Sequence, residues 1–386
     1  MSENTPTLMI IAGELSGDLH GSDLVASLKA LKPDLRVIGV GGERMAKAGV
    51  ELLFHIKEMA LVGIVEVPGK LAFFLNVYRT LVREMTRQAT SALIVIDFPD
   101  FNLRLASAAK KRGIPVIYYI SPQIWAWRGW RIRQIERVVR KMLVIFPFEV
   151  PLYEKTGVDV EFVGHPLIDL VKPSLTKVEA CQRYTLSPDR PIVGLVPGSR
   201  KSEIHFLLPP MVEAAKTIHE EMPETQFVLP LAETLDEADV AEVLEQSGLN
   251  VKVVKGETYD LMAISDFLLV TSGTATLEAG LLGVPMVIVY KSHPLNILIA
   301  KALTTIPHAG LVNILAGREI VPELIQSQVT PERMAEIALK ALRDSAYREE
   351  ITTQLKEIRE MLDEGGASKK AALAILRLLF PEWNSV

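Results

Sequence analysis

Residues 267–278 read FLLVTSGTATLE. The apolar run 267–270 predicts a strand covered on both faces, as in a parallel sheet. Residues 279–282, AGLL, continue as a helix. Ser272, Gly273, Thr274, Ala275 and Thr276 therefore sit where a strand hands over to a helix N-terminus. Free backbone N–H groups and the positive end of the helix dipole converge there, which suits a phosphate. Glu278 lies about one turn into the helix, where a carboxylate can accept from two ribose hydroxyls. The plainer reading is a capping turn closed by Thr274 or Thr276. A second loop of the same kind weighs against it: 196–200, VPGSR, ends another strand. There Gly198 and Ser199 offer backbone N–H groups, and Arg200 offers a planar fork to phosphate oxygens.

Working outward, strand and helix signals alternate along the whole chain. The first half has strand patterns at 8–12, 37–40, 91–96, 116–120, 142–145 and 160–163, with a helix expected over 19–31. The second half has them at 192–196, 226–229, 251–254, 267–270 and 286–289. Alternation of this kind means α/β architecture with parallel sheets. A chain of 386 residues favours two domains over one. The reading is two Rossmann-like domains facing a cleft: 1–168, which would take an acceptor or lipid, and 169–345, which would take a nucleotide. The proline-bearing stretch 167–191 reads as a linker. A helical segment over 346–386, broken at Gly365 and Gly366, is expected to cross back to the first domain.

In such sheets ligands bind beyond the carboxyl ends of the strands. Residues 13–18, GELSGD, follow the first strand as a glycine-bearing turn that does not meet the dinucleotide fingerprint. Glu14 and Asp18 would repel a pyrophosphate, so the turn favours a hydroxylated, sugar-like ligand beside Ser16 and Gly17. A simple turn capped by Ser16 or Asp18 is the alternative. Residues 97–102, DFPDFN, follow the strand at 91–96. Asp97 is the first polar residue off that strand. Desolvated by Phe98 and Phe101, it is suited to general-base work. Asp100 and Asn102 read as caps of the next helix, with Asp100 the second candidate base. The DxxD spacing finds no histidine or carboxylate cluster to complete a metal site. Asn313, among apolar residues at 311–316, either reads a base or ribose or is a buried structural amide.

Two stretches read as surface for something greasy. Residues 68–87 carry Phe73, Phe74 and further apolar residues between basic flanks, which suits a membrane interface or an acyl groove. Residues 121–130, SPQIWAWRGW, place Trp125, Trp127 and Arg128 beside a run of arginines. An ordinary packed helix is the alternative for the first. A net charge of −5 gives no signal for nucleic acid. Cys181 is the lone cysteine, so no internal disulfide framework exists and a reducing compartment fits. No uninterrupted apolar run reaches the roughly 18 residues of a spanning helix. A polar start leading straight into a strand shows no signal peptide. The expectation is a cytoplasmic protein.

GELSGD, IDFPDFN, SPQIWAWR, PFE at 147–149, FVGHPL, PGSRKSEI, TSGTATLE and NILAGRE occur in that order. On these motifs the chain resembles the lipid-A-disaccharide synthases, glycosyltransferases of GT-B architecture in Gram-negative bacteria. Gln123-Ile124 and His20-Gly21 depart mildly from the family pattern. The resemblance implies inverting transfer from UDP-2,3-diacylglucosamine to 2,3-diacylglucosamine 1-phosphate, with no metal or cofactor. It implies Asp97 as base and Glu14 as its support or as a sugar ligand. Gly198 to Arg200, Ser272 to Thr276, Glu278 and Asn313 would hold UDP. Ser16, Gly17, Asp100, Trp125, Trp127, Arg128, Phe73 and Phe74 would serve the acceptor and its acyl chains. The protein would rest on the inner face of the inner membrane, and a homodimer is admitted. The alternatives are a UDP-sugar 2-epimerase of the same architecture and a non-catalytic nucleotide-sugar binder.

Overall fold

A computed structural model describes residues 6–61, 67–126, 129–293 and 306–385. The chain forms two compact units, one running to Pro166 and resuming at Glu364, the other spanning Leu167–Asp363. The first holds a seven-stranded sheet in the order β3-β2-β1-β4-β5-β6-β7. Its strands are β1 Thr7–Ala12, β2 Arg36–Gly41, β3 Glu51–His55, β4 Ala92–Ile96, β5 Val116–Tyr119, β6 Lys141–Val144 and β7 Asp159–Phe162. The second holds six strands in the order β10-β9-β8-β11-β12-β13. These are β8 Ile192–Val196, β9 Gln226–Leu231, β10 Val251–Lys255, β11 Phe267–Thr271, β12 Met286–Tyr290 and β13 Glu323–Ile325. All pairings are parallel. The central strands β1, β4, β8 and β11 are buried at every position, which is why they are continuous apolar runs.

In each unit the strand order reverses direction at one place: between β1 and β4, and between β8 and β11. Helices leave opposite faces there, and a crevice opens beyond the strand ends. Register fixes what lines it. Ala12 pairs with Ile96, so Gly13 and Glu14 emerge beside Asp97 and Phe98. Val196 pairs with Val270, so Gly198 to Arg200 emerge near Ser272 and Gly273.

Several expectations shift. The first helix is Leu15–Leu31, not 19–31, so Ser16, Gly17 and Asp18 belong to its first turn. Gly17 permits this because a Cβ there would lie 3.1 Å from that of Ala12, and the helix packs tightly over β1. Asp18 caps no helix of its own. It accepts from the backbone N–H of Gly42 (2.6 Å), Met45 (3.1 Å) and Arg44 (3.2 Å), holding the Glu43–Lys47 helix. The stretch 167–191 is not a loose linker. Asp260 accepts from Ser174 N, Ser174 Oγ and Leu175 N at 2.6–2.9 Å. Cys181 is buried in the small core beneath it. The Ser345–Met361 helix, capped by Asp344, packs in the second unit against the 274–281, 311–316 and 331–343 helices. Only the Ala367–Leu379 helix, after the positive-φ pair Gly365-Gly366, packs on Leu15–Leu31.

Replacing Asp18 by alanine strands three N–H groups around a buried position. A loss of roughly 2–4 kcal/mol is expected. Chemical denaturation of the purified variant checks it, and an unchanged midpoint would remove Asp18 as the tie.

Candidate active site

In the first unit the site grows from the end of β4. Asp97 and Phe98 both adopt left-handed backbone, at φ 45° and 47°. Non-glycine residues rarely do so in succession, and the surroundings hold them there. Asn102 donates its amide to Ile96 O (3.2 Å) and Asp97 O (2.7 Å), so it braces the strand end rather than capping the helix. The Tyr118 hydroxyl donates to Asp97 O at 2.7 Å. Phe98 folds over Gly13, where a Cβ would lie 2.4 Å from its ring. The bend turns the Asp97 carboxyl away from its own strand. Burial, and then the neighbouring Glu14 carboxylate, raise its pKa, against a hydrogen bond from Phe98 N–H. Asp100 differs: it is exposed and paired with the buried Arg131 guanidinium. A carboxylate fastened to arginine is a weaker base, so the geometry favours Asp97.

The next two strands add an aromatic and acidic corner. Trp125 donates from Nε1 to Glu149 Oε1 at 3.2 Å, and Glu149 Oε2 accepts from Phe146 N at 3.3 Å. Glu149 is 1% exposed, and burial pushes its pKa up to about 8 despite these hydrogen bonds. His165 lies 5.0 Å from Phe146, ring to ring. Burial, then His20, lower His165 to about 3, and burial lowers His20 to about 4, so both are neutral. Trp127 and Arg128 lie outside the described residues. Phe73 and Phe74 are half-buried against the core. Their rings join a line through Phe101 to Phe98 with spacings of 5.8, 6.1 and 5.9 Å. The breadth of that helix's apolar face therefore has largely a packing cause, with Val77, Leu81 and Met85 fully buried.

In the second unit, the Glu203 carboxylate accepts from Ser199 N (2.8 Å), Arg200 N (3.1 Å) and Arg200 Nη1 (2.9 Å). Gly198, at φ 120°, makes room for it: a Cβ would lie 2.2 Å from Glu203 Oε2. A side-chain anion thus occupies the loop's donors. The Thr274–Leu281 helix starts just after Gly273, at φ 136°, with no side-chain cap. Thr276 N donates to Gly273 O at 3.2 Å, and helix geometry gives the N–H groups of Thr274 and Ala275 no partner a turn earlier. Thr274 is exposed, whereas Thr276 is buried and spent internally, donating to Gly273 O (2.8 Å) and accepting from Leu311 N (3.0 Å). Ser272 Oγ donates to Ala309 O at 2.7 Å. Glu278 accepts from Tyr259 OH at 3.0 Å, and burial raises its pKa against that bond.

Asn313 is engaged by its own neighbours. It is fully buried in the Leu311–Ala316 helix. Its amide donates to Val321 O (2.9 Å) and Glu323 Oε1 (2.8 Å), and its oxygen accepts from Ile320 N (2.8 Å) and Val321 N (3.1 Å). Glu323 in turn holds Ala309 N and Gly310 N at 2.7 and 3.0 Å. Asn313 therefore braces the segment that Ser272 and Thr276 rest on. Glu149 and Tyr259 escaped the reading of individual residues. The signal for Glu149 was a lone acid after the apolar run LVIF, and Tyr259 had none.

Two α/β units, each with glycine-bearing loops at its switch point, define the GT-B class of nucleotide-sugar enzymes. Solved structures agree at the level of fold. A putative UDP-N-acetylglucosamine 2-epimerase from Listeria monocytogenes superposes with TM-score 0.66 at 13% identity, covering 97% of each chain. The calicheamicin glycosyltransferase CalG4 gives 0.63 at 16%, covering 98% of this chain and 100% of that one. Sequence decides further. The lipid-A-disaccharide synthetase family profile matches residues 8–376. The lipid-A-disaccharide synthase of Geobacter metallireducens is 47% identical over 96% of this chain and 97% of its own length. That of Coxiella burnetii is 41% identical over 97% and 99%. The chain belongs to the lipid-A-disaccharide synthetase family and is a glycosyltransferase.

Glu149 carries a pH signature. Its folded pKa, about 8, lies above the ordinary 4.5, so folding favours the neutral form. That contribution is whole below pH 4.5 and is lost as pH rises through about 8. Glu149→Gln is expected to be more stable than wild type at pH 9, by roughly 5 kcal/mol at most. The gap should close near pH 5. Melting curves across this range test it, and a pH-independent gap would contradict it.

Proposed function

We propose that this glycosyltransferase moves 2,3-diacylglucosamine from its UDP derivative to the 6-hydroxyl of 2,3-diacylglucosamine 1-phosphate. The products are a β-1,6-linked tetraacyl disaccharide 1-phosphate and UDP. The observation that carries the reading is Asp97: a desolvated carboxylate one residue beyond a switch-point strand, beside Glu14. Asp97 takes the acceptor hydroxyl proton as that oxygen attacks the anomeric carbon. The bond from that carbon to the diphosphate breaks, and its electron pair leaves with UDP. Inversion follows from a single displacement. Glu14 orients a sugar hydroxyl or supports Asp97.

UDP is held by the second unit. Its diphosphate meets the N–H groups of Gly273, Thr274 and Ala275, and competes with Glu203 for Ser199 N and Arg200 N. Arg200 is a surface partner of Glu203, an attachment worth little, so it is free to turn to phosphate. Together they take up charge as UDP departs. Glu278, positioned by Tyr259, accepts from the ribose. Asn313 supports the site from behind.

The acyl chains and the membrane are met by the first unit. Leu15 beside Glu14 is 70% exposed, Trp130 64% and Leu75 43%. Among the described residues no helix is long and apolar enough to cross a membrane. These groups and the neighbouring arginines suit a peripheral seat on an anionic leaflet. A UDP-sugar epimerase shares the fold, but the family to which the chain belongs favours transfer.

Purified protein in mild detergent with EDTA, given the UDP donor, is expected to form disaccharide phosphate and UDP only when acceptor is added. Asp97→Asn should lower kcat by about 10²–10⁴ while UDP still binds. Undiminished turnover would shift the base to Asp100. Tyr259→Phe removes a hydrogen bond to a buried carboxyl and should weaken UDP binding about 5–30-fold by calorimetry. An unaltered Kd would detach Glu278 from the ribose.

A further inference from the structure

The transfer just described leaves one buried acid without a task. Glu149 closes the one-turn segment Pro147–Glu149 after β6, at the same carboxyl edge of the sheet as Asp97. The loop after β5 reaches it with the Trp125 indole and the Ser121 hydroxyl. Ser121 Oγ in turn shares a 2.6 Å hydrogen bond with Tyr153 OH from the Val150–Glu154 helix. The Trp125 ring stands edge-on to Phe148 at 5.2 Å and to Phe146 at 6.4 Å. Phe146 and Phe148 stack at 5.3 Å. Rings from two separate loops thus make one wall, and Glu149 is the polar group that pins them together. A carboxyl is an expensive choice for a dry corner where packing alone needs only an apolar side chain. Trp125 keeps part of its indole exposed, as a wall meant for a ligand would.

We propose that Glu149 is a positioning residue for the acceptor: its carboxyl latches the Ser121–Ala126 loop through Trp125, and so sets the indole against which the acylated acceptor sugar packs. This rests on the acceptor reading of the first unit given above.

The surroundings say how the latch responds to pH. Facing Glu149 are Ser121 and Trp125 from the loop, the Phe146 and Ile145 backbone from the end of β6, and the Tyr153 phenol. Burial pushes the phenol's pKa up, and the neutral His165 lies against Phe146. Burial dominates, so the carboxyl is neutral at pH 7 and ionises at about 8. A charge formed there draws in water, and the loop loosens. The latch is whole below pH 4.5 and weakens progressively as pH rises through about 8.

The test uses the full chain. Tryptophan emission is followed from pH 6 to 9 without substrate. Wild type should show a transition near pH 8, missing from Glu149→Gln and from Trp125→Phe. A transition that persists in Glu149→Gln would overturn the latch. In turnover, wild-type acceptor KM should rise several-fold between pH 7 and 9, with donor KM steady. Glu149→Gln, which keeps an oxygen for the indole, should hold acceptor KM flat. Glu149→Ala should raise acceptor KM about tenfold at pH 7, with kcat little changed. If Glu149→Ala fails to fold, Glu149→Gln carries the test alone. Acceptor KM moving identically with pH in wild type and Glu149→Gln would refute the acceptor role. Absence of any disaccharide from wild type would instead sink the transfer reading, while the emission experiment would still judge the latch.

Discussion

The ring of Phe98 occupies the space that a side chain on residue 13 would need, and the first unit's site is arranged around that contact. Parallel register brings Gly13 level with Asp97, and the missing Cβ lets Phe98 fold across. The fold drives two successive residues into left-handed backbone, an arrangement that costs of order 1–3 kcal/mol each. Asn102 and Tyr118 hold the strained peptide from behind. The outcome is a desolvated carboxylate beside Glu14, one residue past the strand, while Arg131 pairs with Asp100.

The buried acids sort by what they bind. Asp18, Asp260 and Glu323 accept from backbone N–H groups and tie segments together. Asp97, Glu149 and Glu278 are instead raised by burial and face weak neutral donors: a peptide N–H, an indole and a phenol. Burial is the first cause of the rise in all three. The same distinction separates the amides. Asn313 has every donor and acceptor of its amide engaged, which ties the Leu311–Ala316 helix to the segment that follows it.

Glu203 holds the donors of the loop proposed to take phosphate. Its carboxylate sits on the N–H groups of Ser199 and Arg200, and Gly198 exists in a conformation that admits it. Under the proposed function an incoming phosphate would replace one anion by another on these donors.

The sequence alone determined the α/β class and eleven of the thirteen strands among the described residues. It could do so because central parallel strands are buried on both faces and must be apolar throughout. It missed β3 and β13, an exposed-edge strand and a three-residue one, because neither has the length or burial to leave a pattern. It read 13–18 as a turn because glycines weaken helices, and only packing of Gly17 on Ala12 shows why a helix forms there. It proposed Asp97 from position, with Asp100 second, and the pairing of Asp100 with Arg131, 31 residues along the chain, had no local signal. Glu149 and Tyr259 were visible only once folding had brought Trp125 and Glu278 to them, 24 and 19 residues away in sequence. Local pattern records burial and backbone preference, whereas partners distant in sequence leave no local trace. Tertiary structure alone therefore decided which polar side chains are spent on the scaffold and which remain for a ligand.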